Sequence, residues 1–403
     1  MEYQRSFSND SNNLQKESPN TCILSSQHSL ASLPSLNSNS NSQLQDSSFT
    51  CITTLKLHTC ISSLALGGKF LYTGSSNKEI TSWNSTHFHS HPQQSINTII
   101  SGNGAVKSIV IHSDKLFTAH QDNKIRIWKI TITHDEPQQQ QKFTQLATLP
   151  TFTDRFTTIL IPKNHVKIRR HKKCTWIHHV DTVSSLALSK DGTLLYSVSW
   201  DRTIKVWKTK DFTCLESVQT AHDDAINAIT VSDDGYVYTG SADKKIKVWK
   251  KEKGDKNHLL VDTLEKHRSG INALALNSDG SVLYSGACDR SILVSERGGN
   301  GNLVVKGALR GHTKSILCLA VVSDLVCSGS EDKTIRIWRS NSTNNVDREY
   351  CCLGVLEGHK GPIKCLTAVL DHFDEQSSDA TFLIYSGSLD CDIKVWKMLL
   401  PLQ

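Results

Sequence analysis

The sequence predicts an all-β protein, a seven-bladed β-propeller that follows a disordered N-terminal tail. Three observations support this prediction. A motif that starts with a polar turn residue and ends a strand, six times in Trp and once in Ser, recurs seven times after residue 51. Most copies are separated by about the length of one propeller blade. Two further strand-like segments precede each copy. We therefore divide the chain into a tail, 1–50, and a propeller, 51–403.

The tail is predicted from its composition. Of the first 50 residues, 14 are Ser, 7 are Asn and 5 are Gln, and such residues bury too little apolar area to stabilise a fold. Within the tail, Ser29–Leu36 spaces apolar residues among serines. This segment is either a short docking motif that phosphorylation switches or a featureless part of the tail.

The seven repeats end near residues 83, 128, 207, 249, 295, 338 and 396. Their last seven residues read NKEITSW, DNKIRIW, DRTIKVW, DKKIKVW, DRSILVS, DKTIRIW and DCDIKVW. The steps between them are 45, 79, 42, 46, 43 and 58 residues, so two steps hold insertions, the longer at about 131–175. Because the chain starts with one strand and ends with three, we expect Ile52–Leu57 to be the outer strand that completes the last blade.

A hydroxyl residue stands four positions before each turn residue in all seven units. With the turn Asp and the final Trp, this column resembles the WD-repeat (WD40) family, over about residues 51–397. The resemblance implies one buried hydrogen-bonded set per blade, made of His, Ser or Thr, Asp and Trp. Complete sets are His179, Ser197, Asp201 and Trp207; His222, Thr239, Asp243 and Trp249; His312, Ser328, Asp332 and Trp338; and His359, Ser386, Asp390 and Trp396.

Three units depart from this pattern. Asn77 replaces the first turn Asp, Gly102 stands where the second His is expected, and Ser295 replaces the fifth Trp. We expect these blades to be held together less tightly.

The His, Ser and Asp types also raise the possibility of a catalytic triad. A nucleophilic site is a single exposed constellation in a cleft, whereas these residues recur around a ring. We therefore predict no catalytic residues and no enzyme. The chain has no Gly-rich phosphate loop and no metal-ligand spacing, and its twelve cysteines are scattered without a C-x-x-C pair. No cofactor, metal or small-molecule substrate is expected.

Composition gives weaker limits on the partners. The net charge of +6 is small for a nucleic-acid binder, so direct nucleic-acid binding is not expected. Neither a signal sequence nor a run of 18 apolar residues is visible, which favours a soluble intracellular protein without a membrane partner. Other proteins, of a regulatory or transcription-related kind, are the expected partners.

One face of the propeller is a candidate binding surface. Trp200 precedes the third turn, and a basic residue follows the turn position in five units: Lys78, Arg202, Lys244, Arg290 and Lys333. Trp and Arg are common in interface hot spots. Alternatively, these basic residues are only solvated and Trp200 packs on its neighbour blade.

The longer insertion contains a basic cluster made of Arg169, Arg170, Lys172 and Lys173. It can be a nuclear import signal or a nucleic-acid patch, or it can be part of an exposed outer strand whose charges block edge-to-edge pairing.

The same insertion resembles the plant JINGUBANG-like WD-repeat family. The residues that carry the resemblance are Leu149-Pro150-Thr151, Asp154-Arg155, Pro162-Lys163-Asn164, Arg169–Lys173 and Trp176-Ile177. It implies a plant regulatory protein that acts in cytoplasm and nucleus through protein contacts, and restrains a developmental programme such as pollen germination.

The predicted function is a protein-interaction scaffold. The alternative is a substrate receptor of a cullin-type ubiquitin ligase. Many such receptors carry W-D-x-R after the third strand of a blade, whereas the Trp residues here continue as WNST, WKIT, WKTK, WKKE, WRSN and WKML.

Overall fold

The computed structural model describes residues 33–37, 48–85, 95–100, 102–133, 140–159, 165–169, 172–252, 254–341, 349–374 and 379–401. Within these ranges the chain forms seven four-stranded antiparallel sheets, one separate two-stranded sheet and one short helix. The seven sheets are blades, and their innermost strands contact one another in cyclic order, so that the ring closes. The prediction of a seven-bladed all-β propeller is confirmed.

Each of the first three blades runs in chain order from its innermost to its outermost strand. Blade 1 has β2 (Ile61–Gly67), β3 (Phe70–Ser75), β4 (Glu79–Asn84) and β5 (Ser95–Ile100). Blade 2 has β6 (Val106–His112), β7 (Lys115–His120), β8 (Ile125–Thr133) and β9 (Gln140–Leu149). Blade 3 has β12 (Val183–Leu188), β13 (Leu194–Ser199), β14 (Ile204–Lys208) and β15 (Cys214–Val218).

The next three blades follow the same order. Blade 4 has β16 (Ile226–Val231), β17 (Val237–Ser241), β18 (Ile246–Lys250) and β19 (Leu259–Leu264). Blade 5 has β20 (Ile271–Leu276), β21 (Val282–Ala287), β22 (Ile292–Arg297) and β23 (Leu303–Leu309). Blade 6 has β24 (Ile316–Val322), β25 (Leu325–Ser330), β26 (Ile335–Asn341) and β27 (Glu349–Leu356).

Blade 7 contains both ends of the propeller. Its strands are β28 (Ile363–Asp374), β29 (Asp379–Ser388), β30 (Asp392–Pro401) and, outermost, β1 (Ser48–Lys56). β1 pairs antiparallel with β30 from Ser48 opposite Leu399 to Lys56 opposite Asp392. The first strand of the propeller thus completes the last blade, as expected, but begins four residues before Ile52.

The core lies between neighbouring blades. The Trp that ends a third strand packs against the preceding blade, so that Trp207 of blade 3 joins Phe117 and Ile127 of blade 2. Trp249 packs in the same way against Tyr196 and Val206 of blade 3. The repeated Trp column of the sequence is therefore a repeated contact between blades.

The insertion differs from its prediction. The end of the Gln-rich part forms β9, the outer strand of blade 2, where Phe143, Ala147 and Leu149 pack against core residues. The extra residues follow that strand and contain helix α1 (Phe152–Ile159) and a hairpin of β10 (His165–Arg169) and β11 (Lys172–Thr175). The interpretation of Arg169, Lys172 and Lys173 as part of a blade's outer strand is therefore wrong; Arg170 lies outside the described residues. In the described ranges, no helix has the length and apolar content needed to span a bilayer.

Most of the tail lies outside the described residues, and so does the expectation that it is disordered. That expectation does not hold for Leu33–Asn37, which lies against blades 5 and 6. Nor does it hold for Ser48–Thr50, which belong to β1.

Candidate functional site

The structure brings the four members of each predicted set together in blades 3, 4, 6 and 7. In blade 4, His222 Nδ1 lies 2.8 Å from Asp243 Oδ2 and His222 Nε2 lies 2.8 Å from Thr239 Oγ1. The Trp249 indole N–H donates to the same hydroxyl at 3.0 Å. The corresponding contacts in the other three blades span 2.8–3.1 Å. Each hydroxyl joins an imidazole to an indole, which links the inner loop to the third strand.

The carboxylates of these sets accept several hydrogen bonds. Asp243 also accepts the backbone N–H groups of Asp223 at 3.0 Å and Lys245 at 2.9 Å. Burial alone would raise the pKa of Asp243, but the bonds from His222 and from these amides outweigh it and lower the pKa to about 2. Burial lowers the pKa of His179, His312 and His359.

Burial also argues against a nucleophilic role for these hydroxyls. Ser197, Thr239, Ser285, Ser328 and Ser386 have no exposed surface. A substrate carbonyl cannot reach an oxygen that lies between strands and is already bonded to Trp or His. Among the described residues, no three His, Cys, Asp or Glu side chains converge as a possible metal site.

Blade 2 replaces the missing loop histidine with another one. His120, two residues after Thr118 on the same strand, places Nε2 2.8 Å from the Thr118 hydroxyl, which also accepts from Trp128 at 3.0 Å. Asp122 pairs instead with Arg126, at 3.1 Å from Nη1. A Cβ atom on Gly102 would lie 2.1 Å from Arg126 Nη2, so Gly102 provides the space that the guanidinium occupies.

Blades 1 and 5 have partial sets. In blade 1, Trp83 donates to Thr73 at 3.2 Å, while His58 is exposed and the Ser75 hydroxyl donates to Asn77. In blade 5, His267 lies 2.9 Å from Asp289 and 2.8 Å from Ser285, but Ser295 offers a buried hydroxyl without a hydrogen-bond partner.

The five predicted basic residues of the binding face share one backbone conformation. Lys78, Arg202, Lys244, Arg290 and Lys333 all have φ between 69° and 78°, in the left-handed region. Asn123 (66°) and Cys391 (71°) at the same turn position lie in that region too. Such a turn places one residue of each blade on the face that carries the His loops. These residues do not line the central cavity.

The central cavity is lined instead by the second residue of each innermost strand. We call these seven residues the collar: Ser62, Lys107, Ser184, Asn227, Asn272, Leu317 and Lys364. The pairing of every innermost strand shifts at its collar residue, which marks a β-bulge.

Four collar residues bind the next blade. The Ser62 hydroxyl donates to Val106 O, and the Ser184 hydroxyl donates to Ile226 O at 2.5 Å. The amides of Asn227 and Asn272 donate to Ile271 O and Ile316 O, both at 2.8 Å. These bonds close the channel wall from blade to blade.

The two collar lysines give the cavity its charge. Lys107 Nζ lies 5.6 Å from the centre of the Trp200 ring, within cation–π distance, and Trp200 is 41% exposed. Burial and the charge of Lys364 lower the pKa of Lys107. The cavity has a volume of about 460 Å³, and no carboxylate is among the described residues that line it. Trp200 is therefore a partly exposed wall of a basic cavity, and its ring lies beside Lys107 of the neighbouring blade 2.

Sequence reasoning missed the collar and His120. The collar had a sequence signal, since each of its members follows the first apolar residue of an inner strand. His120 had a weaker signal: it is a His two residues after the hydroxyl column, where five of the other six units have Ser.

Comparison with known proteins adds a family match. The model of the WD domain, G-beta repeat, matches residues 171–208, 213–250, 259–294, 303–339 and 350–397. These segments include all of the inner three strands of blades 3 and 4 and most of those of blades 5, 6 and 7. The match in blade 5 stops one residue before Ser295.

Three curated relatives are each 32% identical over part of this chain. They are the pre-mRNA-splicing factor cwf17 of Schizosaccharomyces pombe (23% of this chain, 26% of the relative), Elongator complex protein 2 of Rattus norvegicus (22% and 13%) and the COMPASS component SWD3 of Saccharomyces cerevisiae (20% and 26%). The chain spans about a quarter or less of the length of these relatives.

Proposed function

Because the chain is a seven-bladed β-propeller with WD40 repeats, we propose that it is a non-catalytic scaffold that binds an acidic segment of a regulatory protein at its collar cavity. Propellers of this kind bind other proteins. A rigid ring that carries loops on its faces suits recognition, because the ring fixes the position of each contact residue.

The observation that carries the proposal is the pairing of Lys107 and Trp200 beside Lys364. Two lysines share a cavity without a lining carboxylate, and the pKa of Lys107 is lowered by burial and by Lys364. An acidic side chain of a partner would relieve this repulsion, and its apolar neighbours can stack on Trp200. Aromatic residues at the centre of a face are common hot spots.

The relatives support a role in a multiprotein assembly. Their names describe a splicing factor, a protein of the Elongator complex and a component of COMPASS. We propose that this chain has the same kind of role, with a regulatory or transcription-related partner.

Affinity purification followed by mass spectrometry tests the proposal. We expect the combined variant Lys107→Gln and Trp200→Ala to recover at least ten-fold less of a specific set of partner proteins than the wild type does. The matched control is Lys190→Gln, since Lys190 is an exposed lysine on the turn between β12 and β13, at the opposite ends of the strands. Partner recovery should also fall when the wash is raised from 0.1 to 0.5 M salt, because screening weakens contacts between exposed charges.

Two results would overturn the proposal. If both variants retain the same partners as the wild type, the collar cavity is not the binding site. If cullin subunits dominate the wild-type sample, the ubiquitin-ligase alternative replaces the regulatory scaffold. Thermal unfolding of both variants must match the wild type, so that a loss of partners reports binding.

A finer proposal rests on the resemblance of Leu149–Ile177 to plant JINGUBANG-like regulators. We propose a plant regulator that acts in cytoplasm and nucleus, with Arg169, Arg170, Lys172 and Lys173 as an import signal. A fluorescent fusion in which these four residues are Gln should leave the nucleus, whereas Lys251→Gln and Lys256→Gln should not change its distribution. Nuclear fluorescence that persists in the first variant would exclude this signal.

A further inference from the structure

A segment of the tail lies in a groove between blades 5 and 6. The Leu36 N–H donates to Ala308 O at 3.1 Å, and the Ala308 N–H donates to Pro34 O at 3.0 Å. The Tyr350 N–H donates to Leu36 O at 3.0 Å. Leu33–Asn37 therefore forms parallel bridges to the outer strands of two blades, at Ala308 of β23 and Tyr350 of β27. This is β-augmentation by an extended peptide.

Side-chain contacts make the groove selective. The Asn37 side-chain amide donates to Arg310 O at 2.6 Å, and the Arg310 N–H donates to Asn37 Oδ1 at 3.3 Å. The Arg310 guanidinium donates to Leu33 O at 3.2 Å. An amide side chain that both donates and accepts is required to satisfy this arrangement, which favours Asn at the last position.

Two leucines supply the apolar contact. Leu36 packs on the cluster that contains Tyr284 and Tyr350, whose hydroxyls lie 3.0 Å apart. Leu33 packs against Leu293 and Ala308. Pro34 and Ser35 are exposed, so the groove contacts the side chains at positions 33, 36 and 37 of the segment.

One column of the outer strands shows that blades 5 and 6 are shaped for the tail. The column consists of the outer-strand residues that pair with the third-strand residue just before the Trp. From blade 1 to blade 7 they are Asn97, Ala147, Glu216, Asp262, Gly307, Gly354 and Thr53. Glycine thus occurs only in blades 5 and 6. A Cβ on Gly307 would lie 2.6 Å from Leu36 Cγ, and one on Gly354 would lie 2.7 Å from the Phe49 ring.

These glycines are explained by packing. Glycine inside a strand weakens it, and it often marks a place where another chain segment approaches closely. In blades 3 and 4 the same column holds carboxylates that bind the next blade: Glu216 contacts His258 Nδ1 at 2.7 Å, and Asp262 accepts the Leu303 N–H at 2.7 Å. In blade 5 the Leu36 side chain lies over Gly307, and in blade 6 the Phe49 ring of β1 lies over Gly354.

We propose that the groove between blades 5 and 6 is a binding site for an extended peptide of the pattern Leu-Pro-x-Leu-Asn, and that Leu33–Asn37 is its resident, exchangeable ligand. The site is separate from the collar cavity and goes beyond the proposed scaffold function. Its ligand has five residues and only backbone, amide and leucine contacts, so a free peptide of the same pattern can replace it once the resident segment is released.

Peptide binding to the full-length chain tests this proposal. The variant Leu33→Asp with Leu36→Asp should release the resident segment, because each carboxylate would be buried against apolar side chains. A fluorescein-labelled peptide of residues 29–40 should bind this variant at least ten-fold more tightly than the wild type, in fluorescence anisotropy. In the wild type the tethered segment competes at a high effective concentration. Ser35→Ala is the matched control, and it should bind as the wild type does.

Two further measurements locate the site. Gly307→Val, added to the double Asp variant, should abolish peptide binding, because its side chain fills the position of Leu36. In hydrogen exchange, the amides of Ala308 and Tyr350 should lose protection in the double Asp variant and regain it with peptide, while the amides of β13 stay unchanged. If the double Asp variant does not fold, Asn37→Ala removes only the amide pair with Arg310 and should give a several-fold increase in peptide affinity.

Equal peptide binding by wild type and by the folded double Asp variant would overturn the proposal. Peptide binding that persists after Gly307→Val would also overturn it, since the peptide would then lie elsewhere. Neither result would affect the collar proposal, whose variants lie on other residues.

Discussion

Blade 4 and blade 2 fill the same buried position with different residues. In blade 4 the imidazole comes from the loop before the innermost strand, as His222, while in blade 2 it comes from the second strand itself, as His120. The turn carboxylate of blade 2, Asp122, does not bind a loop histidine and pairs with Arg126 instead. The buried hydroxyl and indole must have partners, but the sequence position of the partner is not fixed.

Blade 5 shows a second solution. Without a Trp, its contact with blade 4 is made by aliphatic residues, among them Leu283, Leu303 and Val305. The Asp262 carboxylate of blade 4 also accepts the Leu303 N–H. Neighbouring residues therefore compensate for the missing members of an incomplete repeat. Changes in the stability of single variants measure how far they do so.

The largest effect is expected from acid. Burial lowers the pKa of His179, His312 and His359, and lowers that of His120 to about 4. Below a pH of about 6.5 the unfolded chain takes up protons that the folded protein does not, so stability falls as the pH falls towards 4. Thermal unfolding between pH 7 and 4.5 measures it, and His120→Gln should flatten the slope. A melting temperature that stays constant over this range would contradict the assignment.

Restoring the family's histidine in blade 2 should destabilise the protein. Gly102→His collides with Arg126 and adopts a φ of 78°, so we expect a loss of about 2–4 kcal/mol in the free energy of unfolding. The control is Gly68→His, which has a φ of 58° but open space around its Cβ, and should cost about 1 kcal/mol. Equal losses would mean that blade 2 can accept the loop histidine as blade 4 does.

Asp243→Asn should weaken a complete set. The change leaves His222 and two backbone amides with a poorer acceptor, at a cost of about 1–3 kcal/mol in denaturant unfolding. Asp233→Asn breaks an exposed ion pair with Lys190 and should change stability by less than about 0.5 kcal/mol. If both variants unfold alike, the buried set does not stabilise blade 4.

The smallest effect is expected in blade 5. Ser295 is buried and its hydroxyl has no hydrogen-bond partner, so Ser295→Ala should be neutral or should stabilise the protein by up to about 1 kcal/mol. Ser285→Ala, which removes the 2.8 Å contact with His267, should instead destabilise it by about 1 kcal/mol. Chemical denaturation of the two variants separates these outcomes. A destabilising Ser295→Ala would show that this hydroxyl is needed.

The sequence predicted the features that repeat. The seven-fold motif and the pairing of the first strand with the last blade could be predicted from residue spacing. The polar sets of blades 3, 4, 6 and 7 could be predicted because the resemblance to the WD-repeat family implies them. The residues that replace missing set members in blade 2 were harder to predict. His120 lies in a position where five other blades have Ser, and Arg126 lies in a column that is also basic in blades 3, 4, 6 and 7. Only the packing at Gly102 shows that blade 2 uses its Arg in a different way.

The candidate site was predicted in part. Trp200 was found because a large aromatic residue is unusual at a turn, but the five turn cations lie outside the central cavity. Lys107 and Lys364 were missed, because the bulge that turns the second residue of each inner strand towards the channel is a property of the paired strands.

The sequence by itself determined the number of blades, their order and the residues that hold most of them together. A periodic pattern specifies the same local structure each time it occurs. Only the tertiary structure decided where distant segments meet: Lys107 beside Trp200, Arg126 against Gly102, and Leu36 above Gly307. These contacts join residues that no repeat relates, so their positions depend on how the closed ring brings blades and tail together.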